Sequence, residues 1–290
     1  MAKTRKYPLC FLLPAVLLFS TFFMLPTIEG FFYSFTDWNT YAPSIHFNGF
    51  SNFISLFKEG ILPVALKNTM LYAFFVTIFV NLFGLILALA LNEKLRLGNL
   101  YRTIFYIPAV IAPLIVGYIF TAIYDPTYGI LNSFLKAIGL EFLGQEWLSN
   151  PNIALFSIMA TAVWQGCGFC MIIYISGLKA INHDIIEASN VDGANYFQRC
   201  IHVIFPMIAP TFTVNFLLSL ISSLKVFEIV LVLTQGGPGY STEVINTFVY
   251  RQFARGNWGY SNAASLIQSV LITIVAFVAL WALRKREVDA

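Results

Sequence analysis

The stretch KAINHDIIEASNVDGANYFQRCIHVIFPMIAP, residues 179–210, lies between two long apolar runs and carries charges and a turn where a few polar residues would have been enough to join them. Asp192-Gly193 is a turn signal, and Pro206 and Pro210 punctuate the return to apolar sequence. The pattern predicts a short helix, a turn at the glycine, and a second helix that runs into a bilayer. Such an insert offers a fixed helical face of small residues to a partner on one side of a membrane.

The rest of the chain supports a membrane setting. Of 290 residues, 58% are hydrophobic and 11% are charged, whereas soluble domains carry about a quarter charged residues. Twenty-nine phenylalanines in long charge-free runs fit helices and not a barrel, whose strands would alternate. The expected class is therefore an all-α integral membrane protein, a single transmembrane domain over residues 1–290.

Six spans are expected, at residues 8–35, 68–92, 103–124, 152–178, 205–233 and 263–283, with the insert at 179–204 between the fourth and fifth. The basic start at Lys3, Arg5 and Lys6 resembles a signal peptide, but the apolar run after it is too long and lacks a small-residue cleavage site. Residues 40–67 form a polar loop with one short helix around Ser51 to Phe57. Pro108 and Pro113 remove backbone donors inside the third span, so that span is expected to be kinked.

Even span number places both termini on one side, and basic residues choose it. Lys3, Arg5, Lys6, Lys94, Arg96, Arg102, Lys179, Arg199, Arg284, Lys285 and Arg286 fall on the side of the termini and insert, against Lys58, Lys67, Lys136, Arg251 and Arg255 opposite. That bias puts both termini and the insert in the cytoplasm.

The chain has no phosphate-binding Gly-x-x-x-x-Gly-Lys cradle, so it is not expected to be an enzyme that hydrolyses nucleotides. His46, His183 and His202 are scattered without a ligand pattern, and neither a metal nor a nucleic-acid partner is expected. Cys10 and Cys200 flank apolar segments. Cys167 and Cys170 have redox spacing but sit mid-span, with no cation to activate a thiol; they keep a membrane thiol oxidoreductase open as a rival.

Polar side chains at mid-span depth mark where a spanning protein could meet a solute. Asn215, Ser219, Ser222 and Ser223 share one arc of the fifth span, where they could contact a solute or simply let helices pack. Trp164, Gln165 and Phe169 add an aromatic surface and an amide at similar depth on the fourth span, the pairing of flat face and hydrogen-bonding groups that a sugar requires. Lys225 and Glu228, three residues apart, are expected to form an ion pair, since either charge alone in hydrocarbon is costly.

Glu187-Ala188-Ser189, Asp192-Gly193-Ala194 and Ile204-Phe205-Pro206 resemble the Glu-Ala-Ala loop of bacterial ATP-binding cassette importer permeases of the carbohydrate-uptake class. The likeness extends through Tyr124-Asp125-Pro126, Trp147-Leu148, Trp164, Lys225-Val226-Phe227-Glu228 and Thr234 to Pro238. It implies the type I importer permease fold, with six spans in the bacterial cell membrane and a cytoplasmic coupling helix. It also implies a second permease subunit, two ATPase subunits that hold the ATP and magnesium, an extracytoplasmic solute-binding protein and a sugar substrate. Within the insert, Glu187 would anchor the ATPase, Ala188, Ser189 and Ala194 would give the small contact face, and Asp192-Gly193 would make the turn. The same machine could instead import glycerol phosphate, a polyol or another solute; an ion-coupled secondary transporter is a rival from another class.

Overall fold

The computed structural model describes residues 9–41, 44–92 and 96–285. Among these, every regular element is helical, apart from an isolated bridge between Thr36 and Phe47. The helices are α1 (Leu13–Tyr33), α2 (Ser51–Lys58), α3 (Ile61–Asn92), α4 (Gly98–Val110), α5 (Pro113–Ile123), α6 (Ile130–Ala137), α7 (Ala154–Ala180), α8 (His183–Val191), α9 (Tyr196–Met207), α10 (Ala209–Leu224), α11 (Glu228–Leu233), α12 (Ile245–Ala254) and α13 (Trp258–Arg284). α1, α3, α7 and α13 are each long and apolar enough to cross a membrane, and the bent pairs α4–α5 and α9–α10 bring the number to six if each pair is one span. The short helix at Ser51 falls where the sequence placed one, whereas α3 begins at Ile61, several residues ahead of the expected Asn68.

Both bends follow from proline. Ala112 precedes Pro113, and the ring of a proline excludes the helical region for its predecessor. Ile111 and Ala112 accordingly adopt ψ of 132° and 137°, and α5 leaves α4 at 95°. The break frees the Ile111 carbonyl, which accepts a hydrogen bond of 2.9 Å from Gln165 Nε2 on α7. The expected kink is thus a right-angle turn with a side chain to satisfy it. Pro206 and Pro210 flank the second bend at Ile208, where α10 departs from α9 at 71°.

The described chain divides into two compact units: residues up to Leu62 with Val249–Gln268, and Pro63–Phe248 with the residues from Ser269 onward. In the first, Gly259 donates its N–H to Trp38 O at 2.7 Å, and the Trp38 and Trp258 rings meet edge to face at 4.7 Å. Asn52 Nδ2 bridges the Ser34 and Thr36 carbonyls at 2.9 and 2.8 Å, tying α2 to the turn that follows α1.

The second unit is built around α7, whose inward residues include Ile158, Met159, Met171 and Tyr174, all fully buried. Its glycines let neighbours approach, as small residues do where lipid offers no hydrophobic force between helices. A Cβ on Gly168 would lie 2.0 Å from the Phe105 carbonyl oxygen of α4, and one on Gly84 of α3 would lie 2.6 Å from Cys170 Cβ. A buried chain of hydrogen bonds crosses the same region: Tyr174 Oη donates to Asn81 Oδ1 at 2.6 Å, and Asn81 Nδ2 donates to Ser219 Oγ at 2.7 Å. One chain of polar contacts therefore joins α7, α3 and α10.

Candidate functional site: a helix–turn–helix insert and a cavity

The insert folds as a helix, a turn and a second helix. Asn182 caps α8 by accepting from the Asp184 N–H at 3.1 Å, and Asn195 and Gln198 form a reciprocal capping box at the start of α9. Between them Gly193 sits at φ +77°, in the left-handed region, and its N–H donates to Asn190 O at 3.1 Å. Arg199 holds the two arms together by donating to Asn190 Oδ1.

Glu187, Ala188, Asp192 and Gly193 are exposed, Ala194 is half-buried, and Val191 and Phe197 stand 88% and 72% exposed beside them. Ser189 departs from the expected contact face. It is buried, and its hydroxyl donates back to Ile186 O at 2.7 Å, because it falls on the side of α8 turned toward this chain. Ala188 is the small residue left on the surface.

The candidate path residues surround a cavity of about 450 Å³ in the second unit. Gln165 and Phe169 of α7 and Asn215, Ser219, Ser222 and Ser223 of α10 all line it. Trp164 does not. Its ring packs against Phe120 at 5.2 Å, since one residue along a helix turns a side chain about 100° away from Gln165. The flat surfaces on the cavity wall are Phe169, Phe227 and Tyr72 instead.

The polar groups there differ in how far they are committed. Gln165 Nε2 serves the Ile111 carbonyl, and Ser219 Oγ both accepts from Asn81 and donates to Asn215 O at 2.9 Å. Asn215 is fully buried; its Nδ2 donates to Cys170 O at 3.2 Å, while its Oδ1 has no hydrogen-bond partner among the described residues. Ser222 is exposed to the cavity side of α10.

These differences separate packing from recognition. Ser219→Ala removes one of the two acceptors of the Asn81 amide, which keeps the Thr77 carbonyl at 2.7 Å, and leaving one buried N–H unpaired is expected to destabilise the protein by about 1–3 kcal/mol. Ser222→Ala removes an exposed hydroxyl that makes no hydrogen bond among the described residues and is expected to leave the thermal midpoint of the purified protein unchanged. Thermal unfolding of the two variants side by side checks this.

Lys225 and Glu228 overturn the expected ion pair. α10 ends at Leu224 and α11 starts at Glu228, so residues 225–227 are unwound and the one-turn spacing that would join the charges is lost. Among the described residues the two form no salt bridge, and both line the cavity. Phe227 takes φ −147° and ψ −68° in this break, and Asn246 Nδ2 caps the freed Lys225 and Val226 carbonyls at 2.8 and 3.2 Å. A discontinuous span with charges and open backbone at a cavity is a feature of solute sites in transporters.

Cys167 and Cys170 are free thiols, one half-buried and one buried, and Cys170 closes against Gly84. Cys170 contributes to the cavity wall as a small apolar group.

Binding-protein-dependent transport system inner membrane components, as a sequence family, match this chain over residues 80–287, which includes the insert and every cavity residue except Tyr72 and Val76. The chain belongs to that family.

The permease is 33% identical over 280 residues to the probable starch degradation products transport system permease protein AmyD of Thermoanaerobacterium thermosulfurigenes, covering 96% of this chain and 94% of that one. It is 32% identical over 279 residues to the multiple sugar-binding transport system permease protein MsmF of Streptococcus mutans, covering 96% and 95%. Among solved structures it resembles a chain of a bacterial alginate ABC transporter in complex with an alginate pentasaccharide-bound periplasmic protein, with TM-score 0.81, 27% identity, and 93% and 91% coverage. The fold is thus that of type I ABC importer permeases, and the permease is a multi-pass membrane protein. Tyr72 and Phe227 are the wall residues that sequence reasoning missed. No charge or spacing marks either of them, and Tyr72 lies three spans away from the serine stripe in sequence.

Proposed function

We propose that this permease is a membrane subunit of an ATP-driven, binding-protein-dependent importer of sugars, contributing half of the translocation path. The observation that carries the reading is the cavity at the α10–α11 break, where hydroxyls, amides and aromatic faces converge in a chain whose full-length relatives bear sugar-transport names. Sugars present hydroxyl rims and apolar faces, and Ser222, Asn215, Phe169 and Phe227 offer counterparts to both. Lys225 and Glu228 offset each other in sign on the same wall, which favours a neutral solute over a phosphorylated one.

In this reading the chain performs no chemistry of its own. Two partner ATPases bind ATP and magnesium and seat α8 of each permease in a surface groove, with Glu187 as anchor and Ala188, Ala194 and the exposed Val191 filling it. A second permease completes the path, and an extracytoplasmic binding protein delivers the sugar. The insert and both termini face the cytoplasm. Closure of the ATPases then draws the inserts together and swings the spans between inward-open and outward-open states.

Reconstitution of the complex in liposomes tests the reading. Uptake of a neutral maltooligosaccharide is expected only with ATP and the binding protein both present, and glycerol phosphate is not expected to compete. Uptake by this chain alone, driven by an ion gradient, overturns it. The orientation is checked by Asp192→Cys: an impermeant maleimide should label it in inside-out vesicles and leave it untouched in intact cells.

A further inference from the structure

Between α5 and α7 the chain runs through residues 124–153, at the end of α7 opposite the insert. This segment could project from the membrane, but its hydrogen bonds hold it down. Ser157, in the first turn of α7, donates its hydroxyl to Trp147 O at 2.9 Å, and the Trp147 ring lies 6.3 Å from that of Tyr124, the residue that closes α5. Trp147 Nε1 in turn donates to Asn132 Oδ1 at 2.8 Å, and Asn132 Nδ2 donates to Gln145 O at 3.1 Å. Asn132 belongs to α6, so α6 is fastened to the level at which two spans leave the bilayer.

Helix α6 is two-faced. At about 100° per residue, Ile130, Leu131, Phe134, Leu135 and Ile138 fall within an arc of about 140°, and Asn132, Ser133 and Lys136 occupy the opposite side. The polar side is engaged within the segment through Asn132 and through the Lys136–Glu141 ion pair at 3.3 Å. Leu131 and Leu135 at the edge of the apolar side are half-buried, and the rest is bare: Ile130, Phe134 and Ile138 are 68%, 57% and 51% exposed, and Tyr128 and Phe142 at the two ends are 88% and 75% exposed.

We propose that α6 is an interfacial helix, lying in the plane of the membrane with Ile130, Phe134 and Ile138 sunk into the headgroup–acyl boundary on the side opposite the insert. Three observations select the bilayer over a protein as the occupant. The tether through Trp147 and Ser157 fixes the depth of the helix at the outer limit of the spans. Tyr128 precedes the helix and Trp147 lies beside its Asn132, and tyrosine and tryptophan are the types that gather at membrane–water boundaries. The segment carries Asp125, Glu141 and Glu146 against Lys136, so apolar burial and not attraction to anionic headgroups holds it there.

The test is a nitroxide label at Phe134→Cys, Ile138→Cys or Lys136→Cys in the full chain with its native cysteines replaced by serine, reconstituted in phosphatidylcholine liposomes. The ratio of oxygen to nickel-chelate collision rates should be on the order of tenfold higher at 134 and 138 than at 136, as for a helix sunk by its apolar face. Replacing a third of the lipid by phosphatidylglycerol should leave that ratio unchanged. A nickel collision rate at 134 and 138 equal to that at 136 shows a water-facing helix and overturns the assignment. Exclusion of both oxygen and nickel at 134 and 138 shows a protein-covered face and also overturns it.

Discussion

Gly168→Ala is expected to destabilise the permease more than any other single methyl addition on α7. The new Cβ would meet the Phe105 carbonyl oxygen at 2.0 Å, and its other near neighbours are Phe105 C and Tyr106 Cα, so all of the obstruction is backbone. No rotamer change relieves a clash with backbone, and α4 must move as a unit. Overpacking of this kind costs about 1–3 kcal/mol and occasionally more. Two residues earlier, a Cβ on Gly166 would meet only the Val80 side chain, Cγ2 at 3.3 Å and Cγ1 at 3.5 Å. Gly166→Ala also gains roughly 0.5–1 kcal/mol of helix propensity, so it should be close to neutral. Thermal unfolding of the pair in detergent reads the difference. Equal midpoints for the two variants would mean that α4 and α7 are not packed as described.

The second large effect is on transport and not on stability. Gly193→Pro forces φ to about −65° where the chain sits at +77°, and it removes the N–H that donates to Asn190. The turn between α8 and α9 cannot survive both changes. Because Gly193 has nothing within 4 Å of a Cβ position, the damage stays in the insert. Uptake by the reconstituted complex is expected to fall more than tenfold, about 1.4 kcal/mol or more in coupling, with membrane abundance retained. Gly193→Ala keeps the N–H and adds about 1 kcal/mol of left-handed strain, so it should retain most activity. Wild-type uptake in the proline variant would remove the handle from the mechanism.

Much of this was legible in the sequence, and the failures are instructive. The six apolar stretches, the short helix at Ser51, and the helix–turn–helix of the insert all follow from local rules, since each is decided by hydropathy, caps or a glycine. The bend at Ile111 was legible in kind from Pro113, but its size depends on Gln165 reaching across from another helix. The unwinding at residues 225–227 carried no signal: Val226 and Phe227 contain neither glycine nor proline, and the break is sustained by Asn246, some twenty residues on. That single miss turned an expected ion pair into two separate charges on a cavity wall. Depth and a flat ring put Trp164 on the path, and neither says which way a helix faces. Ser219 was read as a solute contact or a packing residue, and its place between Asn81 and Asn215 O commits it first to packing.

The contact at Gly168 has a mechanical corollary. α7 runs 27 residues, about 40 Å at 1.5 Å per residue, and Gly168 lies near its midpoint, where backbone abuts backbone and compression is least tolerated. A stiff rod held at its middle behaves as a seesaw: when Lys179 and Ala180 are pushed one way at the insert end, Ala154 and Leu155 swing back by a comparable amount at the far end. Gln165 and Phe169 sit beside the pivot and barely translate. The walls of the cavity can then stay in register with a bound solute while the two ends of the path open and close in opposition.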